Sequence, residues 1–159
     1  MQNVIRKSAL ALSLSAAMVL PATAMAAEGH KLDSFSSVVD QAKEYGFTHF
    51  VEIQTADRSS IDVEGWVGEN REAEVRFSLD GQVLEEDVEQ DDEAAYGLTA
   101  EQLSDVIDAL KNADIVSLDS IDLEERYVEA EGYGSDGKDY DIKLDRNTFE
   151  VVRKSEDMW

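Results

Sequence analysis

The stretch REAEVRFSLDGQVLEEDV, residues 71–88, decides the fold. Ala73, Val75, Phe77 and Leu79 fall on one side of an extended chain, and Glu74, Arg76 and Ser78 on the other. That strict alternation predicts a half-buried antiparallel strand over Arg71–Leu79. Asp80-Gly81 then predicts a hairpin turn, because glycine tolerates positive φ, and a return strand over Gln82–Val88. Upstream, Thr48–Thr55 and Ile61–Val67 read as two further strands. Before them Leu32, Phe35, Val38, Val39 and Ala42 recur at helical spacing. Asp33 or Ser34 is expected to cap the start of this helix, and Gly46 to stop it.

The same order recurs downstream. Thr99-Ala100-Glu101-Gln102 fits a capping box, followed by Leu103, Val106, Ile107 and Leu110 at i, i+3, i+4 and i+7. These match Phe35, Val38, Val39 and Ala42 at a constant offset of 68. Strands are then expected over Ile115–Leu118, Arg126–Gly132, Lys138–Asp145 and Thr148–Val152, with Arg146-Asn147 in the place of Asp80-Gly81. Glu64-Gly65-Trp66 matches Glu131-Gly132-Tyr133 at an offset of 67. Between the halves runs Glu85–Glu93, seven of whose nine residues are acidic. The segment 89–97, which overlaps the end of this run, reads as an acidic linker. The expected fold class is therefore α+β: two tandem helix-plus-antiparallel-sheet repeats (27–88 and 98–159), with the helices packed on one face of a curved sheet.

The chain starts with a targeting pattern. Arg6 and Lys7 form a positive n-region, Ala9–Leu20 an apolar run, and Ala24-Met25-Ala26 a small–x–small cleavage site. The run is about 12 residues, short of the ~20 that a spanning helix needs. Residues 1–26 thus read as a bacterial-type signal peptide, with a periplasmic or secreted product after cleavage near Ala26. Over 159 residues, 14 Lys and Arg stand against 36 Asp and Glu, a formal charge of −22. Loss of the leader removes Arg6 and Lys7 and no acid, so the mature charge becomes −24. Such a surface repels phosphates, which argues against nucleic acid or anionic lipid as the main partner. With no cysteine there is no disulfide, thiol nucleophile, thiolate metal site or lipoprotein anchor.

YDIKLDRNTFEVV (140–152), and less closely AEVRFSLDGQVLEE (73–86), resemble the C-terminal hairpin of PepSY and PepSY-like domains. EGWVGEN (64–70) and EGYGSDGK (131–138) resemble the Gly-rich hairpin that precedes it. The second copy lacks the usual turn glycine and the first lacks the threonine. The resemblance implies a fold like that of the beta-lactamase inhibitory protein. It also implies a non-enzymatic module that binds or restrains secreted peptidases or acts as an envelope interaction domain. No catalytic residue and no cofactor come with it.

The residues themselves point the same way. There is no Gly-x-Ser-x-Gly elbow and no phosphate-cradling Gly loop. His30 lies beside the cleavage site in an expected flexible terminus, and His49 in a strand. Asp136-Gly137-Lys138-Asp139 and the run Glu85–Glu93 are the nearest approaches to a calcium loop, and neither has the shaped EF-hand pattern. Trp66 and Tyr133, each beside a glycine, either cover the core edge or anchor a partner as exposed aromatics do. The partner-binding set read from the sequence is Trp66, Tyr133, Arg76 and Lys143, with no metal ligand, for an envelope or secreted protein partner that includes a peptidase as one case. The alternative is an acidic, cation- or salt-responsive envelope protein that binds calcium weakly.

Overall fold

The structure is a computed structural model and describes residues 29–157. The signal-peptide segment, 1–26, and the terminal Met158-Trp159 lie outside the described residues. Two helices, α1 (Leu32–Tyr45) and α2 (Ala100–Asn112), accompany nine strands. The strands are β1 (His30–Lys31), β2 (Phe47–Asp57), β3 (Ser60–Val67), β4 (Arg71–Ser78), β5 (Val83–Gln90), β6 (Ile115–Leu123), β7 (Tyr127–Gly134), β8 (Asp139–Asp145) and β9 (Val151–Glu156). All belong to one antiparallel sheet of order β5-β4-β3-β2-β6-β7-β8-β9, with β1 paired to β6.

This corrects the fold expected from the sequence. The chain is a single sheet-dominated structure with two helices, not two tandem helix-plus-sheet repeats. The overturning observation is the pairing of β2 with β6 (Glu52↔Asp122, Ile53↔Ile121, Gln54↔Ser120), which makes the strands on either side one continuous layer. Phe50↔Leu98 adds a bridge just before α2. Alternation shows which side of a strand is buried; it does not show which distant strand lies beside it.

Both helices contribute to one core. Phe35, Val38, Val39 and Ala42 of α1 and Leu103, Val106, Ile107 and Leu110 of α2 pack with Ile53, Ile61, Val63, Val75, Phe77, Ile115, Leu118, Ile142 and Leu144 of the sheet. The α2 start is as expected: Thr99 Oγ1 accepts from the Gln102 N–H at 3.3 Å, and Gln102 Oε1 from the Thr99 N–H at 2.9 Å. Helix α1 starts two or three residues earlier than expected, with Lys31 and not Asp33 or Ser34 at the N-cap and no side-chain cap, and ends on Gly46 at φ 126°.

Bulges interrupt β2 at Phe47/His49 and Phe50/Glu52, and β6 at Ile115/Ser117 and Leu118/Ser120. Gly65 and Gly132 lie opposite these bulges. A Cβ on Gly65 would stand 2.2 Å from the His49 carbonyl oxygen, and one on Gly132 2.3 Å from that of Ser117. The backbones approach too closely there for any side chain, which is why both positions are glycine.

Three local expectations change. β9 starts at Val151 rather than Thr148, because the Asp145 carboxylate accepts from the Asn147 and Thr148 N–H groups and Phe149 turns at φ 56°. β6 continues to Leu123. His30 is not in a loose terminus: it is 8% exposed, pairs with Leu118 in β1, and its Nε2 lies 2.7 Å from the Asp57 carbonyl oxygen.

Candidate functional site

Because side chains alternate across a strand, burying one face of the sheet under the helices leaves the other to carry the polar positions. The strand registers place those positions in rows. One row runs Asp87, Glu74, Glu64, Glu52, Asp122, Glu129, Lys143, Arg153, one residue from each of the eight strands in spatial order. Its first six members are carboxylates. With strands about 4.8 Å apart, six successive positions span about 24 Å. The next row runs Glu85, Arg76, Asp62, Gln54, Ser120, Glu131, Asp141, Ser155. Like charges directly opposite each other on a sheet are destabilising.

A cavity of about 680 Å³ opens on this face over β2, β6, β7 and β8. Seven of its eleven lining residues are acidic (Glu52, Asp119, Asp122, Glu131, Asp139, Asp141 and Asp157), and none is Lys or Arg. The ionised forms are disfavoured here. Burial, then the charges of Asp122 and Glu64, push the Glu52 carboxyl above the usual range. Burial, then Asp141 and Asp122, do the same to Glu131. Glu64 is raised by burial and by Glu72 and Glu74. Burial also raises Asp119, with Asp139 adding to it and a hydrogen bond from Tyr133 opposing it. A cationic group placed here relieves this mutual repulsion.

The four residues singled out from sequence do not form one site. Tyr133 lines the acidic cavity and is half-buried. Lys143 lies beside it but is paired with Glu129 and stands 5.8 Å from the Tyr127 ring. Arg76 is held by Asp62 (Nε to Oδ1, 2.7 Å; Nη2 to Oδ2, 2.9 Å) and by Glu85 at 3.3 Å. Trp66 is 1% exposed, near the end of β3, with the Tyr96 ring edge-on at 5.7 Å. It is therefore a buried residue and not an exposed anchor. The tract 91–98 that carries Tyr96 returns over this end of the sheet to the bridge at Phe50↔Leu98.

The residues that make the face (Glu52, Glu64, Asp122, Glu131, Asp141) were not singled out as site residues in the sequence reading because acids are everywhere in this chain. The usable signal was their phase: each occupies the polar position of an alternating strand. Of the calcium-loop candidates, Asp136 is engaged in its own turn, accepting from the Tyr140 hydroxyl at 2.9 Å and the Lys138 N–H at 3.3 Å. Among the described residues, no group of three or more His, Asp or Glu is arranged to hold a metal ion. Nor is any helix among them long and apolar enough to cross a membrane.

No family model matches the chain, and no curated protein matches it. A solved structure of a chain provisionally assigned as a lipoprotein, from Clostridium difficile 630, is similar over 82% of this chain and 95% of that one. The identity is 15% and the TM-score 0.42, too slight a likeness to carry fold or function.

Proposed function

We propose that this protein is a non-enzymatic binding module, exported to the periplasm or beyond, whose acidic sheet face takes a basic protein partner. The row of six cross-strand carboxylates from Asp87 to Glu129 carries this reading. A basic segment in extended conformation, at ~3.3 Å per residue, needs about seven residues to cross its ~24 Å. Charge complementarity of this kind speeds encounter and selects the partner, and it weakens with salt.

The partner we favour is a basic secreted protein, with a peptidase restrained by occlusion as the finer case. The PepSY-like hairpins support that finer case. Export rests on the pattern in residues 1–26.

The test is to immobilise the exported protein, pass periplasmic extract of its host over it at moderate salt, and identify what is retained. A basic protein held at stoichiometric level supports the reading, and a peptidase that loses activity on saturation supports its finer form. Retention no greater than on an unrelated protein of equal charge refutes it. Saturable calcium binding of defined stoichiometry in the absence of a retained protein favours a cation-responsive role instead.

A further inference from the structure

A second cavity, of about 580 Å³, adjoins the acidic one at Tyr133 and lies where the first turn of α1 and the last turn of α2 meet the start of β6 and the end of β7. Its chemistry is opposite. Leu32, Ile115 and Val116 give it an apolar wall, and Val116 is 48% exposed. Lys31 and Lys111 stand at its rim, opposed by the single acid Asp33. Among the described residues neither lysine has a carboxylate within ion-pair distance. In a chain with 36 acids and 14 Lys and Arg, two unpaired lysines at one apolar cavity stand against the general charge.

We propose that this cavity binds a small amphiphilic monoanion, with its apolar body against Leu32, Ile115 and Val116 and one carboxylate between Lys31 and Lys111. The volume is in the ordinary range for a small-molecule site, and apolar walls with a few placed polar groups are the usual construction. Two lysines against Asp33 leave one net positive charge, which matches one carboxylate. The surrounding negative surface repels dianions and lets the apolar wall contribute most of the affinity. The Tyr133 ring lines both this cavity and the acidic one.

Calorimetric titration of the exported protein with sodium decanoate, below its micelle concentration, tests this. Decanol and decyltrimethylammonium serve as the neutral and cationic controls. The expected result is saturable one-to-one binding of decanoate that is weakened at least tenfold in the double variant Lys31→Gln/Lys111→Gln. Decanol should bind the native protein at least tenfold more weakly than decanoate does. Val116→Trp, a change at an exposed wall residue, should abolish decanoate binding while leaving the circular-dichroism spectrum unchanged. All three substitutions are at exposed positions, so folding is preserved. Absence of saturation by millimolar decanoate, equal binding of decanol, or unaltered affinity in the lysine variant overturns the proposal. None of these results depends on whether the acidic face holds a protein.

Discussion

Trp66→Ala separates the two sequence readings of this residue, cover for the core edge and exposed anchor. An exposed hairpin anchor would be removed with almost no effect on stability. Instead the side chain is 1% exposed and covered by the Tyr96 ring. Truncating a fully buried Trp to Ala costs about 3–5 kcal/mol. Its cover, Tyr96, is itself 47% exposed, so the loss belongs at the lower end, about 3 kcal/mol. For a domain of this size that lowers the melting temperature by roughly 10–15 °C. Trp66→Phe separates the causes. It keeps a ring against Tyr96 and removes an indole N–H that has no hydrogen-bond partner among the described residues. Since a buried donor without a partner costs about 1–3 kcal/mol, Phe should offset most of its lost volume and stay within about 1 kcal/mol of the native protein. Thermal and urea unfolding followed by far-ultraviolet circular dichroism measures both. A Trp66→Ala protein that melts within two or three degrees of the native one, at roughly the noise expected of surface changes, would refute the burial argument.

Further outcomes follow from the same contacts. Arg76→Ala leaves Asp62, 9% exposed, without its bidentate partner and should lower stability. Lys143→Ala, which breaks a half-exposed pair with Glu129, costs less than about 1 kcal/mol, and urea midpoints compare the two. Gly65→Ala and Gly132→Ala drive a Cβ into backbone that cannot yield, so each should cost at least about 2 kcal/mol and lower soluble yield, whereas Gly68→Ala, with open space around it at φ 74°, should cost only about 1 kcal/mol. The pH profile is set by carboxyls whose native values are raised: Glu52, Glu64, Asp119, Glu131 and Asp139. The native state holds their protons more tightly than the unfolded chain, so stability rises as pH falls from neutral through those raised values. The gain is complete below the ordinary values of 4.5 for Glu and 3.8 for Asp and is lost as pH rises. Asp57, Asp136 and Asp145, held low chiefly by hydrogen bonds from Ser59, Tyr140 and Asn147, oppose this only in stronger acid. Melting temperature at constant ionic strength should peak in mild acid; a steady fall from pH 7 downward would contradict this account.

What was legible in the sequence was local. The alternation in REAEVRFS predicted β4 and its buried face, Asp80-Gly81 predicted the hairpin to β5 (Gly81 takes φ 93°), and Thr99 with Gln102 predicted the start of α2. The features that define the molecule are long-range. Nothing in the composition of β2 or β6 says that Glu52 lies opposite Asp122, and on that one pairing depend both the single sheet and the continuity of the acidic row. A two-residue strand such as His30–Lys31 has no period to read. Trp66 reads as exposed or buried according to whether another segment covers it, and its cover, Tyr96, lies thirty positions away. β9 shifted because the Asp145 side chain organised a longer turn than Arg146-Asn147 suggested.

If the acidic row serves binding, as proposed, neutralising it should cost affinity and not stability. Glu52→Gln/Glu64→Gln/Glu74→Gln neutralises three adjacent members, and Asp40→Asn/Asp105→Asn/Asp108→Asn removes the same charge from exposed helix positions. Affinity for a seven-residue lysine peptide and urea stability would be measured for both at one salt concentration. The row variant should be at least as stable as the native protein and bind at least tenfold more weakly, while the helix variant keeps most of its affinity. Equal loss of binding in both would show that only total charge matters, and would contradict the account.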